Sequence, residues 1–196
     1  MRPCRHVTLL ALVVALLCLP ACVRHSSINP DSVEVCHSGR FDMAGGEVDK
    51  TIYMDVQGQT RGLETLTSAT ASKLRATGWQ IAATPSEAGH ILHLNVLYSG
   101  QSEPSVLRQA VTNGYGSPIR MGQGTTTGLV SDALLVQRRV PQSKRPSHVR
   151  LKNISTRNAV GNSQMRFGLL LPHGLKGIPP VFAEVLSREI AQALRP

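Results

Sequence analysis

The chain lacks the signatures of catalysis. It has no Gly-x-Ser-x-Gly elbow, and Gly122, Gly124 and Gly128 have neither the spacing and strand-helix setting of a dinucleotide loop nor the Lys-Ser/Thr of a phosphate loop. They read as a flexible loop. Cys36 and His37 are sequence neighbours, which do not normally face each other, and so do not make a nucleophile-base dyad. His90-x-x-His93 has an odd separation, which on a strand sends the two rings to opposite faces, and no carboxylate or cysteine near it in sequence completes a metal set. The expectation is a protein that is not an enzyme and carries no metal or cofactor.

Long apolar runs are also scarce. The opening stretch from Val7 to about Leu19 is shorter than the ~20 residues a mature membrane-spanning helix needs. It follows a basic start in Arg2, Arg5 and His6 and ends at the small residue Ala21, the three parts of a secretory signal. The full sequence is 41% apolar, and the chain that remains after this stretch is long enough for one domain with its own core.

Acids are missing between Asp132 and Glu184, while Arg138, Arg139, Lys144, Arg145, Arg150, Lys152, Arg157, Arg166 and Lys176 supply nine positive charges. Such a segment suits the phosphates of lipopolysaccharide or phospholipid through non-specific attraction, with Arg138, Arg139, Lys144, Arg145, Arg150 and Lys152 as the contact candidates. The alternative is a solvated face with no partner. Phe167 and Phe182 are the only aromatic residues in that span, too few for the stacking platform of a single-strand binder, so nucleic acid is not expected.

Leu19-Pro20-Ala21-Cys22 resembles the lipobox of bacterial lipoproteins. The resemblance implies cleavage between Ala21 and Cys22, a diacylglycerol on the Cys22 sulfur and acylation of the new amino group. Two or three chains hold a protein on a membrane where one binds only marginally. Val23 follows the cysteine where Asp would signal retention at the inner membrane, which points to the outer membrane of a Gram-negative cell. Cys4 and Cys18 leave with the signal and Cys22 is blocked, so Cys36 remains without an intramolecular partner. Two of the 21 basic residues, Arg2 and Arg5, precede Cys22 and none of the 12 acids does, leaving 19 against 12, a net charge of +7.

The rest of the chain alternates between the two regular periods. Residues 22–32 read as the lipidated end and a short tether, and 33–196 as the folded domain. Thr51–Val56 alternates like a half-buried strand; Leu63, Leu66, Ala69 or Thr70, and Leu74 recur at helical spacing before a stop at Gly78. Gln80–Ala83 is strand-like, Pro85–Gly89 a turn, and His90–Tyr98 a strand with Leu92, Leu94, Val96 and Tyr98 on one face. Further strands are expected around Leu134–Val140, Val149–Ile154 and Met165–Leu171. A final helix opens at Pro179-Pro180 and runs to about Leu194, its stripe made by Val181 or Phe182, Val185 or Leu186, Ile190, and Ala193 or Leu194. The fold class is α+β: one domain with an antiparallel or mixed sheet packed by two main helices.

The stretch from Thr51 to Gly100 resembles the TraT family of outer-membrane lipoproteins. There an extended strand, a helix ending in Lys-x-x-Gly-Tyr or Gly-Trp, and a Pro-x-x-Ala turn lead to a long apolar strand. The corresponding residues are Arg75-Ala76-Thr77-Gly78-Trp79 and Pro85-Ser86-Glu87-Ala88. Asn113-Gly114-Tyr115-Gly116-Ser117 is similar to the motif after that strand, and Phe182–Leu194 to the family's last helix. The resemblance implies a homo-oligomeric surface lipoprotein encoded with conjugation functions, which blocks entry of related plasmids and in some bacteria gives resistance to complement. Family members carry a long Gly/Ala-rich apolar stretch after the Gly-Tyr motif, able to form a membrane-inserted hairpin. Here Ser117–Leu129 contains Arg120 and Gln123 and no run of that length. A second reading is therefore a periplasm-facing accessory or scaffold of a conjugation or secretion apparatus. The membrane face stays open between these two.

Overall fold

Ile52, Met54 and Val56 alternate with Tyr53, Asp55 and Gln57, and in the computed structural model they form one strand of a six-stranded sheet. The structure describes residues 28–42, 49–138, 159–172, 174–175 and 177–195. Its strands are β1 (Glu34–His37), β2 (Thr51–Gly58), β3 (Gln80–Ile81), β4 (His90–Ser102), β5 (Thr126–Arg138) and β6 (Ala159–Leu171). The helices are α1 (Leu63–Ala76), α2 (Pro104–Thr112) and α3 (Pro180–Ala193). The sheet order is β1-β6-β5-β4-β2-β3, with β2 parallel to β3 and β4 and the other pairs antiparallel. This is the expected α+β domain with a mixed sheet.

The alternation sorts the two faces. Ile52, Leu92, Leu94, Val96, Leu129, Leu135, Met165, Phe167 and Leu169 point to one face, where α1 and α3 lie over them and close the main core. Helix α1 contributes Leu66 and Leu74, and α3 contributes Phe182, Val185, Leu186 and Ile190, all without solvent exposure. Burying each such side chain is worth about 1.5–3 kcal/mol. Glu64 in the first turn of α1 and Lys73 and Arg75 in the last complement the helix dipole. The helix stops because Gly78 takes φ +90°, with the Gly78 amide donating to Arg75 and the Trp79 amide to Leu74. That stop delivers Trp79 to the core, edge-on to the His90 ring at 5.0 Å.

Three expectations change. First, a third helix, α2, covers part of the opposite face. Pro104 opens it, and Leu107, Ala110 and Val111 are its buried stripe. Gly128 on β5 and Gly168 on β6, diagonal to each other in the register, let it come close, since a Cβ there would collide with Leu107 and Val111 respectively. Second, β5 begins at Thr126, so Gly128 belongs to a strand and Gly124 is pressed against the Ser102–Glu103 backbone; neither is in a free loop. Third, β4 carries a bulge between Val96 and Tyr98. The extra residue reverses the alternation, so Tyr98 packs with the α2 cluster while Leu92, Leu94 and Val96 stay in the main core.

The sheet has two distinct ends. The described chain enters beside Glu34, which pairs with Leu170, itself paired with Gly128, close to the start of β5. Asn29 caps a 3-10 turn at Pro30–Ser32, and Ile28 rests on the main core, so folded structure starts within the residues read as a tether. Arg138 lies at the other end of the thirteen-residue β5, which at 3.3 Å per residue is about 40 Å long. The expected strand Val149–Ile154 lies outside the described residues, as does the end of Leu134–Val140 beyond Arg138.

Candidate functional site: an arginine-clamped tyrosine loop

Asp132 on β5 and Arg166 on β6 stand directly opposite each other on the face that α2 partly covers. Both are buried, Arg166 completely and Asp132 to 6% exposure. Arg166 Nε donates to Asp132 Oδ1 at 2.6 Å and Nη2 to Oδ2 at 2.9 Å, a bidentate pair. The same guanidinium reaches two backbone carbonyls: Nη1 donates to Ala110 in α2 and Nη2 to Ser117, each at 2.9 Å. Asp132 Oδ2 also accepts from the Gly116 amide at 2.9 Å. A buried ion pair repays its desolvation only when its remaining groups are satisfied in this way.

The clamp fixes the segment after α2. The Gly114 amide donates to Val111, and Ser117 Oγ donates to the Asn113 carbonyl at 2.7 Å. Gly114 and Gly116 both take positive φ, +80° and +74°, and hold Tyr115 between them. Tyr115 is the large apolar side chain that stands exposed among the described residues. Partial burial and the nearby Asp132 charge push its phenol above the ordinary range. Ile119 and Met121 then fold back onto the α2 cluster.

Beside Tyr115 lies an open cleft of about 410 Å³, with His93, Asn95 and Leu97 of β4 on one side and Pro118 and Ile119 on the other. His93 Nδ1 is 3.0 Å from Asp55 Oδ2, which also accepts from Gln57. His93 therefore has a carboxylate beside it that sequence spacing did not show. His90 and His93 do point to opposite faces: His90 is buried against Trp79, and burial holds its pKa below the ordinary value. The Asp132 and Arg166 polar groups are turned to protein partners, which makes the pair a support for the loop. The groups offered to a partner are Tyr115, His93, Asn95 and the apolar rim.

The remaining candidate residues fall elsewhere. Ala21 and Cys22 lie outside the described residues, as do Arg139, Lys144, Arg145, Arg150 and Lys152. The Arg138 guanidinium donates to the Pro85 carbonyl and, at 3.5 Å, to the Ala88 carbonyl, tying the end of β5 to the turn before β4. Arg166, counted among the positive charges of the acid-free segment, is in the interior. The charge pattern along the chain could not reveal this, because its partner Asp132 is 34 residues away. The glycines around Tyr115 were the available signal for the loop.

A family model described as the Enterobacterial TraT complement resistance protein matches residues 46–145. That stretch includes β2, α1, β3, β4, α2, the tyrosine loop and β5. No curated protein matches the chain. Among solved structures, it is similar to a PelC variant dodecamer from Paraburkholderia phytofirmans, with 14% identity over 84% of this chain and 99% of the other and a TM-score of 0.44. A second PelC dodecamer from that organism gives 15% identity, 83% and 97% coverage, and a TM-score of 0.40. A DUF4136 family protein from Bacteroides thetaiotaomicron gives 10%, 83%, 96% and 0.39.

Proposed function

Since this chain belongs to the TraT family of outer-membrane lipoproteins, we propose that it is anchored by a lipid on Cys22 and acts by binding and self-assembly, in surface exclusion between conjugating cells. The observation that carries this reading is the family match over 46–145, a stretch that holds the clamped loop around Tyr115. A rigidly held aromatic beside a cleft fits recognition of a protein surface, and no step of the proposed action is catalytic. Cys22→Ser is expected to release the protein from the membrane fraction and to abolish exclusion in a mating assay. Unchanged membrane association would overturn the anchor.

A second reading is supported by one feature. Where family members carry an apolar hairpin, this chain has a short segment whose Ile119 and Met121 pack on its own domain. No helix among the described residues is long and apolar enough to cross a membrane. The packing of that segment on its own domain favours a domain held in the periplasm as an accessory of a conjugation or secretion apparatus. Protease treatment of intact cells separates the two readings: a surface-exposed domain is cut, and a periplasmic one is protected until the outer membrane is opened.

A further inference from the structure

The sheet ends on one side in an incompletely covered strand. Strand β3 pairs only with Thr51 and Ile52 of β2, and among the described residues no strand continues along Tyr53–Gly58. The Gln80 and Ala82 amides donate to the Lys50 and Ile52 carbonyls, so the even-numbered residues of β2 direct their backbone groups away from β4. By alternation, Met54 and Val56 present theirs to the open edge. Their side chains share a face with Leu92, Leu94 and Val96. Those three are 0–5% exposed, whereas Met54 and Val56 are only partly covered, like Leu63, Ala69 and Ile81 beside them. An apolar slot with open hydrogen-bonding groups is the shape of a site for an added strand.

The sheet ends on its other side in β1, four residues with no further strand beyond them among the described residues. The Ser38 amide donates to Arg166, so Ser38 and, by alternation, Cys36 and Glu34 face β6, while Val35 and His37 direct their backbone groups outward. The Val35 side chain packs toward the main core, as Met54 and Val56 do. Backbone direction and side-chain face therefore select the same alignment, Val35 of one copy opposite Val56 of another and Glu34 opposite Gln57.

The geometry points to β1 of one copy adding to the open edge of β2 in the next, antiparallel, as the contact through which this protein assembles. This deepens the self-assembly reading above and rests on it. Strand direction favours this contact over an isologous one. Strand β1 runs away from the end at which the chain enters and β2 runs toward it, so an antiparallel β1–β2 contact keeps every entry point on the same side. Lipids on all copies can then share one membrane. Antiparallel β2–β2 pairing would turn two entry points to opposite sides. The contact is head-to-tail and closes as a ring if the rotation permits, with neighbouring strands staggered as in any closed, tilted sheet.

Disulfide trapping tests this on the full-length protein in isolated membranes, in a Cys36→Ser background. Glu34→Cys and Gln57→Cys on one chain should give, after oxidation, a reducible ladder extending beyond dimer. Separate chains carrying one change each should give a single dimer band when co-produced, and nothing when produced alone. Glu34→Cys with Lys73→Cys, on the exposed side of α1, should stay unlinked. If lysine-reactive cross-linking captures assemblies of the double variant but no disulfide ladder appears, this contact is wrong while self-assembly stands. A dimer from Gln57→Cys alone also overturns it. If neither chemistry links the chains, the self-assembly reading falls and this contact with it.

Discussion

Arg166 and Asp132 meet through two hydrogen bonds in the interior, and the same arginine holds Ala110 and Ser117. Removing one partner leaves a buried charge without compensation, a loss of about 3–5 kcal/mol. Arg166→Leu is therefore expected to lower the urea midpoint sharply. The double variant Arg166→Leu with Asp132→Leu should recover part of that loss, because no charge is then left in the interior. A single variant as stable as the parent would show that the pair does not support the fold.

Tyr115 is held by that clamp but contributes little apolar burial of its own. Tyr115→Ala is expected to change stability by no more than about 0.5 kcal/mol, the range of ordinary surface substitutions. Exclusion in a mating assay should nevertheless fall. Full activity with an unchanged urea midpoint would remove the loop from the recognition surface.

His90 links the fold to pH. Its pKa is lowered chiefly by burial, beneath the ordinary 6.5, so the unfolded chain takes the proton first as pH falls. The stabilising contribution is full above that value and is lost as pH drops from about 6.5 through the lower folded pKa. Denaturant midpoints should be flat from pH 8 to 7 and decline below 6.5, and His90→Phe should flatten the decline. An identical slope in the variant would place the titrating group elsewhere.

The basic segment leaves the described fold at Arg138 and returns at Ala159, at the end of the sheet opposite chain entry. Charge reversal at Arg139, Lys144 and Arg145, sparing Arg138 because it ties β5 to the turn at Pro85–Ala88, should abolish binding to anionic vesicles at low salt without moving the urea midpoint. Equal binding to neutral vesicles would mean that these charges only keep the domain soluble.

The legible elements were those whose periodicity is carried by large apolar residues. Leu92-Leu94-Val96 and Leu66-Thr70-Leu74 announce β4 and α1, and the two prolines before Val181 announce α3. Helix α2 was missed because nine residues provide a stripe of only three, one of them alanine. The first half of β5 was missed because Thr126-Thr127-Gly128 reads as loop until α2 is known to need that glycine. The clamp was illegible for a different reason. An isolated Asp or Arg on a strand looks solvated, and only the β5–β6 register makes Asp132 and Arg166 neighbours.

The pairing of β1 with β6 joins residues near the two ends of the chain, Glu34 with Leu170. A chain that emerges N-terminus first must keep Glu34–His37 out of its own sheet until almost all of the domain has followed, because its partner within the chain among the described residues, β6, is the last of the described strands to be made. Contacts of such sequence separation close late and slowly. Of the described strands, Glu34–His37 is thus the last to be sealed into its own sheet, although it is the first to be made.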